Sequence, residues 1–280
     1  MTNRLKSIMG RDLGLDHNDV LICPKGYVAG DVGKQTPLPS PDKVVLLDDF
    51  MGALLNADHW LSTVSGTVGG TAPTSVIPLV TSGAVGGVFR MTSPNVTGTK
   101  AGNQSGIAGA AQWLPTAGGL AMQVRFKLST ATTSRSLFFG FTNAARNAAT
   151  SPLTRAISSN TAGTGSTEVV GVMLNTDATE GTVYQLASIK AAGTPVLITT
   201  TLAPVADQYE TWRVEINAAG VARFYRNGIV VQQGTTLISL TAAANLVPVF
   251  YCGDIVGTGK VTDIDYIHVV QNRGLDGTAV

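Results

Sequence analysis

Alternation of apolar and polar residues with a period of two runs through much of this sequence and restricts it to a β-rich fold. In the segment 120–128 every second residue is apolar, and Gln123, Arg125 and Lys127 lie between them. The segment Trp212–Asn217 repeats the pattern, with Trp212 and the apolar residues at alternate positions after it predicted to point inward. Because successive strand residues face opposite sides of a sheet, such segments predict one packed face and one solvated face.

Similar segments, rich in Val, Ile, Phe, Tyr and Thr, recur from Val44 onward between clusters of turn-forming residues. The candidate strands are Val44–Phe50, Val88–Met91, Gly119–Leu128, Ser136–Thr142, Glu168–Asn175, Thr182–Ile189, Thr211–Asn217, Ala222–Arg226, Ile229–Gln232, Val247–Cys252 and Val261–Gln271. The pair Asn227-Gly228 between two of them indicates a type I′ hairpin. Strands without intervening helical patterns predict an antiparallel sandwich or barrel.

Residues 1–43 differ from the rest, because proline at alternate positions favours an extended path and the apolar patches are too sparse for a core. We therefore predict an extended N-terminal arm over 1–43 and one β domain over 44–280. The arm residues expected to contact other subunits are Val20, Leu21, Ile22, Pro37, Pro39 and Pro41.

Composition excludes several classes of protein. The net charge of +1 gives no electrostatic footprint for nucleic acid, and the absence of a long apolar run predicts no membrane span. The N-terminus lacks an apolar signal core, so we expect synthesis in a cytoplasm, with Cys23 and Cys252 as reduced thiols. Charged residues make up only 13% of the chain, which suits either surfaces that pack against protein or simply a turn-rich β composition.

The segments Glu210–Asn217 and Val221–Val230 resemble the Trp-bearing strand and the F-Y-x-N-G hairpin of concanavalin-like, laminin-G-type jelly rolls. Asp48-Asp49-Phe50 followed by Trp60 is similar to the opening strand of such domains, and Val261–Val270 to the closing strand. The resemblance covers roughly residues 44–272 and implies an all-β, antiparallel jelly-roll β-sandwich.

Together with the arm and the loops rich in small residues, this domain resembles tailed-bacteriophage head decoration proteins and some tail or fibre proteins. The resemblance implies a virion structural protein, most simply a capsid decoration or cement protein. Such a protein would self-associate as a homotrimer and bridge major capsid or other virion proteins, with its arm adding strands to exposed sheet edges. The alternative is a tail or fibre module that binds a receptor or carbohydrate.

Catalytic patterns are absent from the sequence. A retaining glycosidase needs two carboxyl groups about 5–5.5 Å apart, and the laminarinase-type pattern E-x-D-x-x-E does not occur. Asp263 and Asp265 share one strand and are expected to face outward, beside inward-facing Ile264 and Tyr266. We therefore predict no catalytic residues and no enzymatic activity.

Metal ligands are equally sparse. Asp48 and Asp49, with Asp177 and Asp254 in other loops, could approach a calcium ion, but Ca²⁺ takes six to eight oxygen ligands and no loop supplies them. The histidines, His17, His59 and His268, are far apart in sequence. We predict no metal and no cofactor, with calcium as the open alternative.

Aromatic residues are the remaining candidates for a binding or interface role, because such residues are enriched at binding hot spots. Trp113 lies in the stretch Gly106–Gly118, where no alternation assigns it to the core. Tyr184, Tyr209 and Tyr251 are the other candidates, of which we favour the first two together with Trp113.

Overall fold

The structure is a computed structural model, and it describes residues 14–15, 21–23, 27–29, 35–37, 43–50, 55–65, 87–93, 104–109, 112–129, 135–143, 166–176, 182–231, 234, 238–254 and 260–272. The chain divides into two compact units. One unit comprises Met1–Val45 with Asn272–Val280, and the other comprises Leu46–Gln271.

The N-terminal unit contains a small antiparallel sheet of short strands. In spatial order these are β1 (Gly14–Leu15), β2 (Leu21–Cys23), β3 (Tyr27–Ala29) and β4 (Gln35–Pro37). Of the residues predicted to make arm contacts, Leu21 and Ile22 lie in β2 and Pro37 in β4. Val20, Pro39 and Pro41 lie outside the described residues. Docking of this segment onto other subunits stays a prediction.

The larger unit is built from two antiparallel sheets. In spatial order, sheet A consists of β13 (Val196–Thr199), β12 (Gln185–Ile189), β11 (Val169–Asn175), β10 (Arg135–Thr142), β17 (Val247–Asp254), β8 (Gln104–Gly109) and β6 (Trp60–Ser65). Sheet B consists of β16 (Ile229–Val231), β15 (Ala222–Arg226), β14 (Tyr209–Ile216), β9 (Leu120–Leu128), β18 (Val261–Asn272) and β5 (Lys43–Asp48), with β7 (Phe89–Thr92) also pairing with β18.

The predicted all-β, antiparallel β-sandwich is confirmed. Every predicted strand from Val44 onward is present within a few residues of its expected bounds, whereas β6, β8 and β13 were not predicted. The described residues contain one helical element, a 3₁₀ turn at Pro115–Ala117. In the part of the chain that the structure describes, no helix is both long and apolar enough to cross a bilayer.

Aromatic side chains from both sheets meet in the centre of the sandwich. Phe139 and Phe250 of sheet A stack with ring centroids 5.8 Å apart, and Phe126 of sheet B packs edge-on against Phe250 at 5.5 Å. Trp212 of sheet B packs edge-on against Tyr184, which immediately precedes β12 of sheet A, with ring centroids 4.9 Å apart. Such ring pairs contribute about 0.5–1.5 kcal/mol beyond the area they bury, so this cluster fixes how the two sheets pack.

A fully buried arginine connects the sheets where β10 begins. Arg135 Nη1 donates to the carbonyl oxygen of Val261 at 2.9 Å and to Oγ1 of Thr262 at 2.8 Å, both in sheet B. Its Nη2 donates to Oγ of Ser129 at 2.9 Å. Buried polar groups are costly unless they are hydrogen-bonded, and these bonds tie the first residue of a sheet A strand to sheet B.

Candidate functional site

The outer face of sheet B carries three tyrosines among charged side chains, and we call it the tyrosine face. Tyr209, Tyr225 and Tyr266 come from β14, β15 and β18, and all three are half-buried. The charged side chains of the same face come from alternate positions of these strands and of β9 and β7: Arg90, Arg125, Lys127, Arg213, Glu215, Arg223, Asp263 and Asp265.

One cross-strand row joins Tyr209 to a set of ion pairs. Tyr209 lies opposite Lys127, Lys127 opposite Asp263, and Asp263 opposite Arg90. Arg90 holds Asp263 through two hydrogen bonds, Nε to Oδ1 at 2.7 Å and Nη2 to Oδ2 at 2.9 Å. Lys127 Nζ is 3.7 Å from Asp263 Oδ2 and 5.4 Å from the centroid of the Tyr209 ring. The Asp263 side chain is only 6% exposed, so the row is packed and ordered.

A β-bulge in β18 directs the side chains of two consecutive residues, Asp265 and Tyr266, to the same outer face. The register between β18 and β9 shifts between Ile264 and Tyr266, so Asp265 is the extra residue. Asp265 pairs with Arg125, and the Tyr266 hydroxyl accepts a 2.6 Å hydrogen bond from Nε2 of Gln123. Tyr266 was expected to point inward, and that prediction is wrong because the bulge interrupts the alternation on which it was based.

Electrostatics keep the Tyr209 hydroxyl protonated. Burial raises the pKa of Tyr209, and the nearby carboxylates of Asp263 and Asp265 raise it further. The Arg125 guanidinium carbon lies 4.5 Å from the centre of the Tyr209 ring, a cation–π distance. Tyr209 thus presents a neutral hydroxyl beside two cationic side chains.

The far part of the tyrosine face is organised around Glu215. Its Oε2 accepts a 3.0 Å hydrogen bond from the Tyr225 hydroxyl, and Arg213 pairs with its other oxygen.

His268 of β18 also lies on the tyrosine face, opposite Gln123 of β9. Burial and then the Arg213 charge lower the pKa of His268, and its Nε2 has no hydrogen-bond partner among the described residues. The imidazole is therefore neutral at pH 7.

The outer face of sheet A has different chemistry. Its described side chains form a second buried apolar cluster, which includes Phe138, Val249 and Tyr251. Tyr251 lies opposite Gly106, where a Cβ atom would come within 2.1 Å of the tyrosine ring. Among the described strands, the charged side chains of the outer faces therefore lie on sheet B.

The favoured aromatic candidates separate in the structure. Trp113 is only 2% exposed; it lies in the core, and its backbone forms a bridge with Leu246. Tyr184 is fully buried, with its hydroxyl bonded to Glu210. These placements remove both rings from the surface on which a partner would bind. Tyr209 is the favoured candidate that lies on an outer face.

Two of the predicted acidic and histidine positions approach each other among the described residues, where His59 Nδ1 lies 3.9 Å from Asp48 Oδ2. No group of three or more His, Cys, Asp or Glu side chains there could hold a metal ion. Asp48 accepts hydrogen bonds from Trp60 and Phe50, and Asp49 is exposed. The side chain of Asp254, and the whole of Asp177 and His17, lie outside the described residues.

The alternation in β9 predicted the outward orientation of Gln123, Arg125 and Lys127, but not which residues of β14 and β18 lie beside them. The outward positions of β14, which include Tyr209 and Arg213, lie opposite the outward positions of β9. To infer these contacts from the sequence, one would have to know that β9 lies between β14 and β18, which are distant from it in sequence.

Comparison with known proteins identifies the fold. No family model matches the chain, and no curated protein matches it. LamA from Z. galactanivorans, solved with laminaritriose and laminaritetraose, is 11% identical over 81% of this chain and 98% of its own, with a TM-score of 0.53. A protein of unknown function from Shewanella oneidensis MR-1 is 14% identical over 85% and 90%, with a TM-score of 0.54. A β-1,3-1,4-glucanase (lichenase) from a mouse hindgut metagenome is 11% identical over 82% and 99%, with a TM-score of 0.52.

These similarities place the sandwich among concanavalin-like jelly rolls, as the sequence resemblance implied. They also overturn one prediction. The prediction of no enzymatic activity, inferred from missing sequence patterns, is wrong, because the same fold occurs in a glucanase. At these identities the likeness establishes the shared fold alone. The virion location, the capsid partners and the homotrimer stay predictions.

Proposed function

We propose that this chain is a carbohydrate-binding module and that its glycan lies on the tyrosine face. The observation that carries the proposal is that tyrosine rings and paired charged groups share one exposed sheet face. A sugar ring has C–H groups on its faces and hydroxyls around its rim. Tyr209 with Arg125 and Lys127 offers ring surface beside hydrogen-bond donors, and Tyr and Arg are enriched where proteins bind partners.

The ion pairs support binding by holding the side chains in place. Asp263 is fixed by Arg90, and Arg125 by Asp265. A side chain that is ordered before binding avoids an ordering cost of about 0.5–1.5 kcal/mol when the ligand arrives. The bulge at Asp265 adds to this, because it puts Asp265 and Tyr266 on the same face as Arg125.

The names of the fold neighbours select the first ligands to test. LamA was solved with laminari-oligosaccharides, and the lichenase is named for activity on β-1,3-1,4-glucan. We therefore begin with laminarin and mixed-linkage β-glucan, and assay them for release of reducing sugar as well as for binding. Release by the full chain would add hydrolysis to the proposed function.

The experiment is a titration of the full chain with oligosaccharides of these glucans, after a glycan array to widen the search. Tyr209→Ala and Arg125→Ala should each weaken the Kd at least about tenfold, which corresponds to about 1.4 kcal/mol. Tyr209→Phe, which keeps the ring, should weaken it less. Lys190→Ala is the matched control, because Lys190 is an exposed cation away from this face. Absence of binding to every glycan, or equal Kd values for all variants, would refute the proposal.

The setting that we propose is a receptor-binding module of a bacteriophage virion, with decoration of the capsid as the related possibility. The feature that supports attachment to a larger assembly is the separate N-terminal unit. Deletion of residues 1–43 should abolish co-sedimentation of the chain with purified particles while leaving glycan binding unchanged. Retention of the shortened chain on particles would count against this attachment.

A further inference from the structure

A groove lies between the terminal strands of the two sheets. Its volume is about 720 Å³, and strands β13 and β16 contribute to its walls. Ile198 and Leu202 line it on one side and Ile229 and Val230 on the other. The groove lies away from the tyrosine face and takes no part in the proposed glycan site.

The main chain of β13 has one unpaired edge among the described strands. Thr200 N–H donates to the carbonyl of Tyr184 at 3.0 Å, on the side of the strand that faces β12. Because hydrogen-bonding direction alternates along an antiparallel strand, Leu197 and Thr199 direct their N–H and C=O groups away from β12. β13 is the last strand of sheet A, so no described strand pairs with these groups.

The terminal strands β13 and β16 carry few of the features that prevent strand pairing. Proteins protect exposed edges by keeping the strands short, or with charged side chains, proline or bulges. Both strands are short and Pro195 immediately precedes β13, but Val196–Thr199 and Ile229–Val231 themselves contain no charged residue and no proline. Ile229 is 74% exposed and Val230 is 56% exposed, the highest values among the large apolar side chains of the described residues. An uncharged edge next to exposed aliphatic groups favours an extended strand as its occupant.

We propose that this edge is an interface between two copies of the chain, which pair their β13 strands antiparallel across a two-fold axis centred on Ile198. Leu197 of one copy then faces Thr199 of the other, and their outward N–H and C=O groups exchange hydrogen bonds in both directions. The pairing is self-complementary, as a two-fold interface requires. A second copy fits this edge because β13 carries no charge that would repel its own copy. Ile229 and Val230, which line the adjoining groove, would add apolar contacts beside the new strand pair.

Sedimentation velocity of the full chain over a range of concentrations tests the interface. We expect a species of twice the 28.9 kDa chain mass. Ile229→Lys should raise the dimer Kd at least about a hundredfold, since it puts two like charges into an apolar contact. Thr199→Pro should act similarly by removing an edge N–H. Val205→Lys is the control, because Val205 is exposed but does not line the groove.

Crosslinking locates the contact independently of any association through another surface. In a Cys23→Ser background, Ile229→Cys should form a crosslinked dimer with a short bis-maleimide, whereas Val205→Cys should not. A monomeric wild-type chain, or a trimer that Ile229→Lys and Thr199→Pro leave intact, would overturn the proposal. So would the absence of a crosslink at position 229. Glycan binding by the monomeric variants should be unchanged, which separates this interface from the proposed function.

Discussion

The indole N–H of Trp60 in sheet A donates a 2.9 Å hydrogen bond to Oδ2 of Asp48 in sheet B. The other oxygen of Asp48 accepts the backbone N–H of Phe50 at 2.8 Å. The carboxylate therefore joins the two sheets at the start of the sandwich. Because both Asp48 oxygens accept hydrogen bonds, calcium binding at Asp48, the alternative considered from the sequence, would have to compete with these bonds.

Asp48→Ala should lower the free energy of unfolding by about 1.5–3 kcal/mol, because it removes charge-assisted hydrogen bonds and leaves the Trp60 indole without its acceptor. Asp49→Ala is the matched control, since Asp49 is exposed, and it should stay within about 0.5 kcal/mol of wild type. Urea denaturation measures both. A melting temperature that rises with added calcium, and no longer does so in Asp48→Ala, would instead indicate a metal site.

The three tryptophans should respond differently to replacement by phenylalanine. All are buried, but the indole N–H of Trp60 bonds to Asp48 and that of Trp212 to Glu210 at 2.9 Å, whereas Trp113 Nε1 has no partner among the described residues. Trp60→Phe and Trp212→Phe should each cost about 1–2 kcal/mol more than Trp113→Phe, because the first leaves half-buried Asp48 and the second buried Glu210 short of a donor. Denaturation followed by circular dichroism compares them, and the idea fails if Trp113→Phe is the most costly.

Stability at alkaline pH should depend on Cys252. Burial raises the pKa of its thiol from 9.0 to about 11. Since the folded pKa lies above the unfolded one, the stabilisation is complete below pH 9 and is lost as the pH rises through 11. Wild type should therefore lose about 3 kcal/mol more than Cys252→Val across this window. Tyrosine ionisation occurs in both proteins, so the difference between their pH profiles isolates the thiol; parallel profiles would contradict the prediction.

Gly106 and Tyr251 should be energetically coupled. A Cβ at position 106 would lie 2.1 Å from the Tyr251 ring, so Gly106→Ala should destabilise the protein by about 1–3 kcal/mol through overpacking. In a Tyr251→Ala background the same change should cost at least about 1 kcal/mol less. The double-mutant cycle is measured by chemical denaturation, and additive effects would show that the ring is not the obstacle.

Strands with strong alternation could be predicted from the sequence because burial and periodicity agree in them. Leu120–Leu128 and Tyr209–Ile216 are examples, and their apolar residues are buried as expected. Strand β8, Gln104–Gly109, was missed because its glycines favour a turn in any local reading. Gly106 is there to accommodate the ring of Tyr251, which is contributed by a strand far away in sequence.

The candidate site was less predictable because it depends on strand neighbours. Arg125 was expected to face outward, but its contacts with Tyr209 and Asp265 follow from the position of β9 between β14 and β18. The burial of Trp113 depends likewise on a bridge to Leu246. Tyr266 faces outward because of a bulge that no local pattern announces.

The guanidinium of Arg135 has a consequence for how the sandwich comes apart. Its hydrogen bonds to Val261 and Thr262 bridge the sheets, so the sheets cannot separate at that end without breaking charged hydrogen bonds in a fully buried site. Amide hydrogens of β10 and β18 near this residue should accordingly exchange only when the whole larger unit unfolds. Those of the outlying strands β13 and β16 should exchange through smaller, more frequent fluctuations.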